Sequence, residues 1–158
     1  MPHIAWDERL NLGIAELDAQ HKLLLGHANR LIEGMDKGVA EAMVADLVQK
    51  LREYTVLHFR EEEAYMARIH YPELVAHRQA HGELRSEVKD LQRQLYEHRI
   101  PAPATVRDLL KTWLVEHILH EDYKIGQWLR ERQAVGGGEG ESRAAKVQPD
   151  CPGKLPFI

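Results

Sequence analysis

Long apolar runs, cysteine, excess positive charge and strand-like alternation are all scarce in this 158-residue chain. No apolar run approaches the roughly 20 residues that a membrane helix needs, so no membrane span is expected. The start, Met1-Pro2-His3-Ile4-Ala5-Trp6-Asp7-Glu8, lacks the charged opening and apolar stretch of a signal peptide. A single cysteine, Cys151, cannot make an internal disulfide and fits a reducing compartment. The cytoplasm is therefore the expected location. A formal charge of −4 without a basic stripe argues against a nucleic-acid partner. Period-two alternation, the mark of a half-buried strand, is missing.

Helical periodicity and histidine are what the chain does have. With 44% apolar and 29% charged residues, it belongs to the soluble globular class, and its length suits one domain. Asp18 is placed to cap a first helix over 19–37, with Leu24, Ala28, Leu31, Ile32 and Met35 inward and Gly38 ending it. A second helix is predicted over 40–66, with Met43, Leu47, Val48, Leu51, Tyr54 and Leu57 as its buried stripe. Pro72 suits the first turn of a third, over 73–97, carrying Leu74, Val88, Leu91 and Leu95. Pro101 and Pro103 precede a fourth, over 104–133, carrying Leu110, Trp113, Leu114, Ile118, Ile125 and Leu129. Four long helices with short connections read as an all-α, antiparallel up-down four-helix bundle. The expected layout is a bundle over 1–134, opened by an N-terminal arm carrying Trp6, Leu10, Leu12 and Ile14. A flexible Gly/Pro-rich tail follows over 135–158, beginning at Gly136-Gly137-Gly138.

Ten histidines are spread along the chain rather than clustered. Residues four apart share a helix face. His58 and Glu62 are so spaced on the second helix, and His77 and His81 on the third. His117 on the fourth is followed by Glu121 at four and Asp122 at five, and the first helix offers His21. Chance supplies roughly half a His-x-x-x-His pair and one or two His-x-x-x-carboxylate pairs in such a composition; His3 with Asp7 reads as one of these. The force lies in distribution, because every predicted helix contributes a histidine and inward groups on facing helices converge. Buried imidazoles and carboxylates are costly unless paired or coordinated. Imidazole suits iron, copper or zinc, and seven donors are too many for one tetrahedral zinc. Two metals bridged by two carboxylates would use all seven. Spacing leaves Glu121 and Asp122 as rivals. Glu61 and Glu63 rotate away from His58 and should face solvent. His27, His70, His98 and His120 read as outer or surface groups, and Tyr123 as a packed tyrosine.

The chain resembles the bacterial hemerythrins over about residues 4–132. The carrying segments are Asp18-Ala19-Gln20-His21-Lys22, His58-Phe59-Arg60-Glu61-Glu62, His77 with His81, and Trp113 through Asp122. Ile4-Ala5-Trp6-Asp7, Leu12-Gly13-Ile14 and Tyr71-Pro72 also match the family's pattern. The resemblance implies a non-haem centre of two iron ions with a solvent-derived oxygen bridge. His77, His81 and His117 would hold one iron, His21 and His58 the other, and Glu62 and Asp122 would bridge them. Dioxygen is the implied ligand, taken at the iron with two histidines, in an apolar pocket of Phe59, Trp113, Leu114 and Ile118. The implied function is reversible oxygen binding for carriage, storage or delivery to an oxygen-consuming client protein, not enzyme catalysis. The alternatives are a di-iron oxidase or peroxidase, a nitric-oxide-handling enzyme, and an oxygen sensor.

Overall fold

The computed structural model describes residues 3–136. Within them the chain is helical, with no strand, and forms an all-α four-helix bundle. After a short 3-10 turn at Glu8–Leu10 come α1 (Ala15–Asp36), α2 (Glu41–Arg68) and α3 (Leu74–Tyr96). The fourth rod is continuous over 103–136. It starts as α4 (Pro103–Leu110), passes through π-helical segments at Lys111–Glu116 and Ile118–Asp122, and ends as α5 (Tyr123–Gly136). Residues 135–136, assigned to the expected tail, continue α5; the rest of that tail lies outside the described residues, as does Cys151. No helix among the described residues is long and apolar enough to cross a membrane.

Each long helix buries one face. On α1 that face is Leu17, His21, Leu24, Leu25, Ala28, Leu31, Ile32 and Met35, the periodicity expected. On α2 it is Val44, Val48, Leu51, Thr55, His58, Phe59, Glu62 and Met66. This corrects the predicted stripe, since Met43 is 54% and Leu57 42% exposed. The buried face of α2 turns polar at Thr55, His58 and Glu62, so counting only apolar residues shifts the stripe to its neighbours.

Two predicted helix starts also move. α1 begins at Ala15, and Asp18 sits one turn inside it rather than capping it. Its carboxylate reaches back instead, accepting from the Leu12 amide (2.7 Å) and the Gly13 amide (3.1 Å). Pro72 lies in the turn before α3, which begins at Leu74. Helix ends are regular. After α1 the Gly38 N–H donates to Met35 O and the Val39 N–H to Gly34 O, with Gly38 at φ +63°. His70 and His98, both at φ 56°, end α2 and α3 with the same bond pattern; histidine enters this region more readily than most residues with a side chain.

The arm is pinned at both ends. Ile4 exchanges two hydrogen bonds with the Asn29 side chain, at 2.8 and 2.9 Å. Leu12 is wholly buried, and its carbonyl accepts from Arg130 Nη1 at 2.7 Å. The same carbonyl lies against Gly126, where an added Cβ would sit 2.1 Å from its oxygen.

Two glycines therefore predict opposite outcomes. Gly126→Ala drives a methyl into a clamped peptide and should cost roughly 1–3 kcal/mol, lowering Tm by about 5 °C. At Gly26, mid-α1 and with open space around the added Cβ, Ala should stabilise by about 0.5–1 kcal/mol through helix propensity. Thermal melts of the two variants check both; equal shifts would show that Leu12 is not held against the fourth rod.

Candidate metal centre

The interior of the bundle carries polar side chains at one level. His21, His58, Glu62, His77, His81 and Asp122 are all at 2% exposure or less, and His117 packs beside them. α1 supplies His21, α2 supplies His58 and Glu62, α3 supplies His77 and His81, and the fourth rod supplies His117 and Asp122. The structure thus brings together all seven residues singled out from the sequence.

The π-helical stretch decides between Glu121 and Asp122. In π geometry each N–H reaches the carbonyl five residues back, so residues five apart share a face. His117 Nε2 lies 2.9 Å from Asp122 Oδ1. Glu121 points outward and pairs with Lys124 at 3.1 Å.

The donors fall into two overlapping groups. Glu62, His77, His81, His117 and Asp122 form one; His21, His58, Glu62 and Asp122 form the other. Both carboxylates belong to both groups, and each turns a different oxygen to each. Glu62 Oε1 lies 2.9 Å from His77 Nε2 and 3.3 Å from His81 Nε2, and Asp122 Oδ1 3.1 Å from His77 Nε2. On the other side Glu62 Oε2 lies 3.5 Å from both His21 Nε2 and His58 Nε2, and Asp122 Oδ2 3.1 Å from His21 Nε2.

Hydrogen bonding among these groups does not satisfy them. His21 Nε2, Glu62 Oε2, His117 Nε2 and both Asp122 oxygens are buried without a hydrogen-bond partner. His77 Nε2 and His81 Nε2 face each other at 3.1 Å. Buried polar atoms are rarely left so, and five of them converging on one point fit cations as the missing partners. The donor set, imidazole with bridging-competent carboxylate, suits transition metals rather than calcium or magnesium.

Outer partners orient two of the rings. His58 Nδ1 donates to Gln20 Oε1 at 2.9 Å, and His81 Nδ1 donates to Glu63 Oε1 at 2.9 Å. In each case the proton sits on Nδ1, so Nε2 offers its lone pair to the centre. Glu63 therefore does not face solvent as expected, whereas Glu61 pairs with Arg60 near the surface. Gln20 and Glu63 carry no spacing signal; both act across helices. Of the remaining histidines, His3, His70, His98 and His120 are exposed and His27 half-buried beside Tyr54. Tyr123 is 40% exposed rather than packed.

Next to the cluster is a small cavity, lined on its apolar side by Leu24, Phe59, Leu84, Trp113, Leu114 and Ile118. All four residues expected to form an apolar pocket are present; Leu24 and Leu84 were not anticipated. Its volume, ≈ 10 Å³, is about the space for one very small molecule. The cavity touches both histidines of the smaller donor group, and of the larger group's histidines only His117. A far larger cleft, ≈ 540 Å³, lies between the arm and the fourth rod and contains none of the cluster.

Fold and cluster together define a four-helix bundle built around a buried centre able to hold metal. The family described as Hemerythrin HHE cation binding domain matches residues 12–129, and the chain belongs to the hemerythrin family. It is 32% identical to a bacteriohemerythrin of Pseudomonas paraeruginosa (strain DSM 24068 / PA7) over 126 residues, 77% of this chain and 78% of that one. It is also 32% identical to myohemerythrin-1 of Phascolopsis gouldii over 119 residues, 75% of this chain and 88% of that one. The crystal structure of wild-type hemerythrin superposes with a TM-score of 0.74 at 26% identity, covering 80% of this chain and 97% of that one.

Without metal the cluster holds protons. Burial opposes a charge on His21 and His77, but the adjacent Asp122 and Glu62 carboxylates outweigh it and raise them to about 9 and about 10. Burial, helped by the nearby His21, lowers His58 to about 4. Burial also opposes charge on Glu62 and Asp122, yet the surrounding histidines hold both below the usual carboxylate range. A raised histidine pKa contributes stability that is complete below the unfolded value of 6.5 and lost as pH rises through 9–10. The lowered carboxylates contribute stability that is lost in acid.

Because His58 is depressed, its contribution is lost as pH falls below 6.5, so the metal-free protein should melt highest near about pH 6–6.5 and lose Tm both toward pH 10 and into acid. Metal must displace the two imidazolium protons, so uptake at pH 7 should release about two protons per chain. Calorimetry in buffers of different ionisation enthalpy measures that release. Uptake without proton release would contradict the charge state deduced for the cluster.

Proposed function

We propose that this chain binds dioxygen reversibly at a non-haem di-iron centre, and that it is a carrier, store or delivery protein rather than an enzyme. His77, His81 and His117 would hold one iron, His21 and His58 the other, and Glu62 and Asp122, which belong to both donor groups, would be shared between them. The observation that carries this reading is the unequal donor count combined with the place of the cavity. One group has three histidines and the other two, and the cavity meets both histidines of the smaller group. The position with fewer protein donors is thus the one with room beside it. When bound there, a pair of irons supplies the electrons that dioxygen takes up and gives back.

The chain's own side chains set the conditions for reversal. Phe59, Trp113, Leu114 and Ile118 keep the space apolar, which disfavours water and stray protons. Among the described residues, the titratable groups lining it are His21, His58, His117 and Asp122, members of the cluster itself. Among the described residues, no further acid lines the cavity to protonate a bound molecule and commit it to turnover. Phe59 stacks on His81, 3.8 Å between ring centroids and 8° from parallel, which fixes both rings. An oxygen-consuming client protein is the proposed recipient.

An anaerobic-to-aerobic optical titration of the iron-loaded protein tests the reading. We expect two irons per chain and a visible absorption band that appears with oxygen and vanishes when oxygen is withdrawn. Decay of the band with consumption of a reductant would instead favour an oxidase or peroxidase. A second test is His77→Ala, which removes a donor facing both carboxylates. It should leave helix content intact by circular dichroism while iron binding falls below stoichiometry; full iron and an unchanged spectrum would refute the assignment.

A further inference from the structure

The two donor groups differ in what stands behind their histidines. Behind His58 is the neutral amide of Gln20; behind His81 is the carboxylate of Glu63. Glu63 is only 17% exposed and is held at three points along α3. Its Oε1 accepts from His81 Nδ1 at 2.9 Å and from Arg85 Nη1 at 3.3 Å, and its Oε2 lies 3.4 Å from Arg78 Nε. Arg78 and Arg85 flank His81 in sequence, one turn before it and one turn after. Arg85 also stands over the Phe59 ring, 5.7 Å from its centroid, and Phe59 stacks on His81. A single carboxylate from α2 is therefore fixed against the outer nitrogen of an α3 histidine, with two guanidiniums setting its position.

We propose that Glu63 is a positioning residue of the centre: it locks His81 with its proton on Nδ1 and, through its negative charge, makes His81 a stronger donor than His58. The inference rests on the di-iron reading above. A carboxylate can only accept here, so Nε2 of His81 is left bare toward Glu62 and the metal position. The anion draws the Nδ1 proton and enriches the ring in electron density. The iron on the three-histidine side is then better stabilised in its more oxidised state than it would be with an amide behind His81. The arrangement makes the two metal positions electronically unequal, beyond the inequality in donor count.

Two variants separate orientation from charge. Glu63→Gln keeps an acceptor for His81 Nδ1 but removes the charge; Glu63→Ala removes both. Iron loss to a competing chelator and the midpoint potential of the iron-loaded protein are measured for each, with circular dichroism confirming the fold. Outer partners of metal-bound histidines are commonly worth about 10- to 100-fold in metal affinity. Glu63→Ala should lose iron at least about tenfold faster than wild type, Glu63→Gln should lose it at nearly the wild-type rate, and the potential should rise in both. Wild-type retention in Glu63→Ala would overturn the positioning role, and a wild-type potential in Glu63→Gln would overturn the charge role. Should Glu63→Ala fail to fold, the Glu63→Gln potential still decides. A wild-type chain that takes up no paired iron would overturn the di-iron reading itself, a result distinct from either failure.

Discussion

Two carboxylates, Glu62 and Asp122, are completely buried inside an otherwise apolar bundle, and the rest of the structure answers to that. A carboxylate removed from water costs several kcal/mol even after relaxation. Five imidazoles crowd around the pair, each with Nε2 within 3.5 Å of a carboxylate oxygen. They do not complete the account, because five polar atoms facing the centre of the cluster still lack a hydrogen-bond partner. Cations bridging the carboxylates would neutralise the anions and occupy the orphaned lone pairs together. The long apolar stripes of α1, α2 and α3 can then be seen as the scaffold that holds four helix faces at one level around this layer.

Function follows from how the layer departs from symmetry. Glu62 and Asp122 each divide their oxygens between the two donor groups, but the histidines divide three to two. Room for a small molecule adjoins the smaller group, and its walls are Phe59, Trp113, Leu114 and Ile118 with Leu24 and Leu84. A site that binds a diatomic gas and lets it go needs an unfilled coordination position, an apolar wall and few proton donors. On the proposed reading, the two-histidine donor group, the apolar wall and the adjoining space would meet those needs at one place.

The bundle was legible in the sequence because its helices are long, strongly periodic and separated by proline and glycine breaks. The same periodicity misled on α2, where Thr55, His58 and Glu62 take positions that an apolar stripe would have filled. Asp18 looked like a cap because aspartate commonly is one; its real partners, the Leu12 and Gly13 amides, lie in the arm behind it. The donor residues were visible as histidines and carboxylates repeated on every helix, but spacing alone did not choose Asp122 over Glu121; only the family resemblance did. The choice depends on a π-helical segment that changes which residues share a face, and no residue type in 111–122 announces it. Glu63 was hidden for a similar reason, since its partners His81, Arg78 and Arg85 belong to another helix.

The central claim is that Glu62 and Asp122 are shared between two metal ions. Diffraction from crystals of the iron-supplied protein, collected on both sides of the iron absorption edge, tests it directly. The account predicts two anomalous peaks within the cluster, one beside His77, His81 and His117 and one beside His21 and His58, with both carboxylates between them. A single peak, or iron found only outside the bundle, would contradict it.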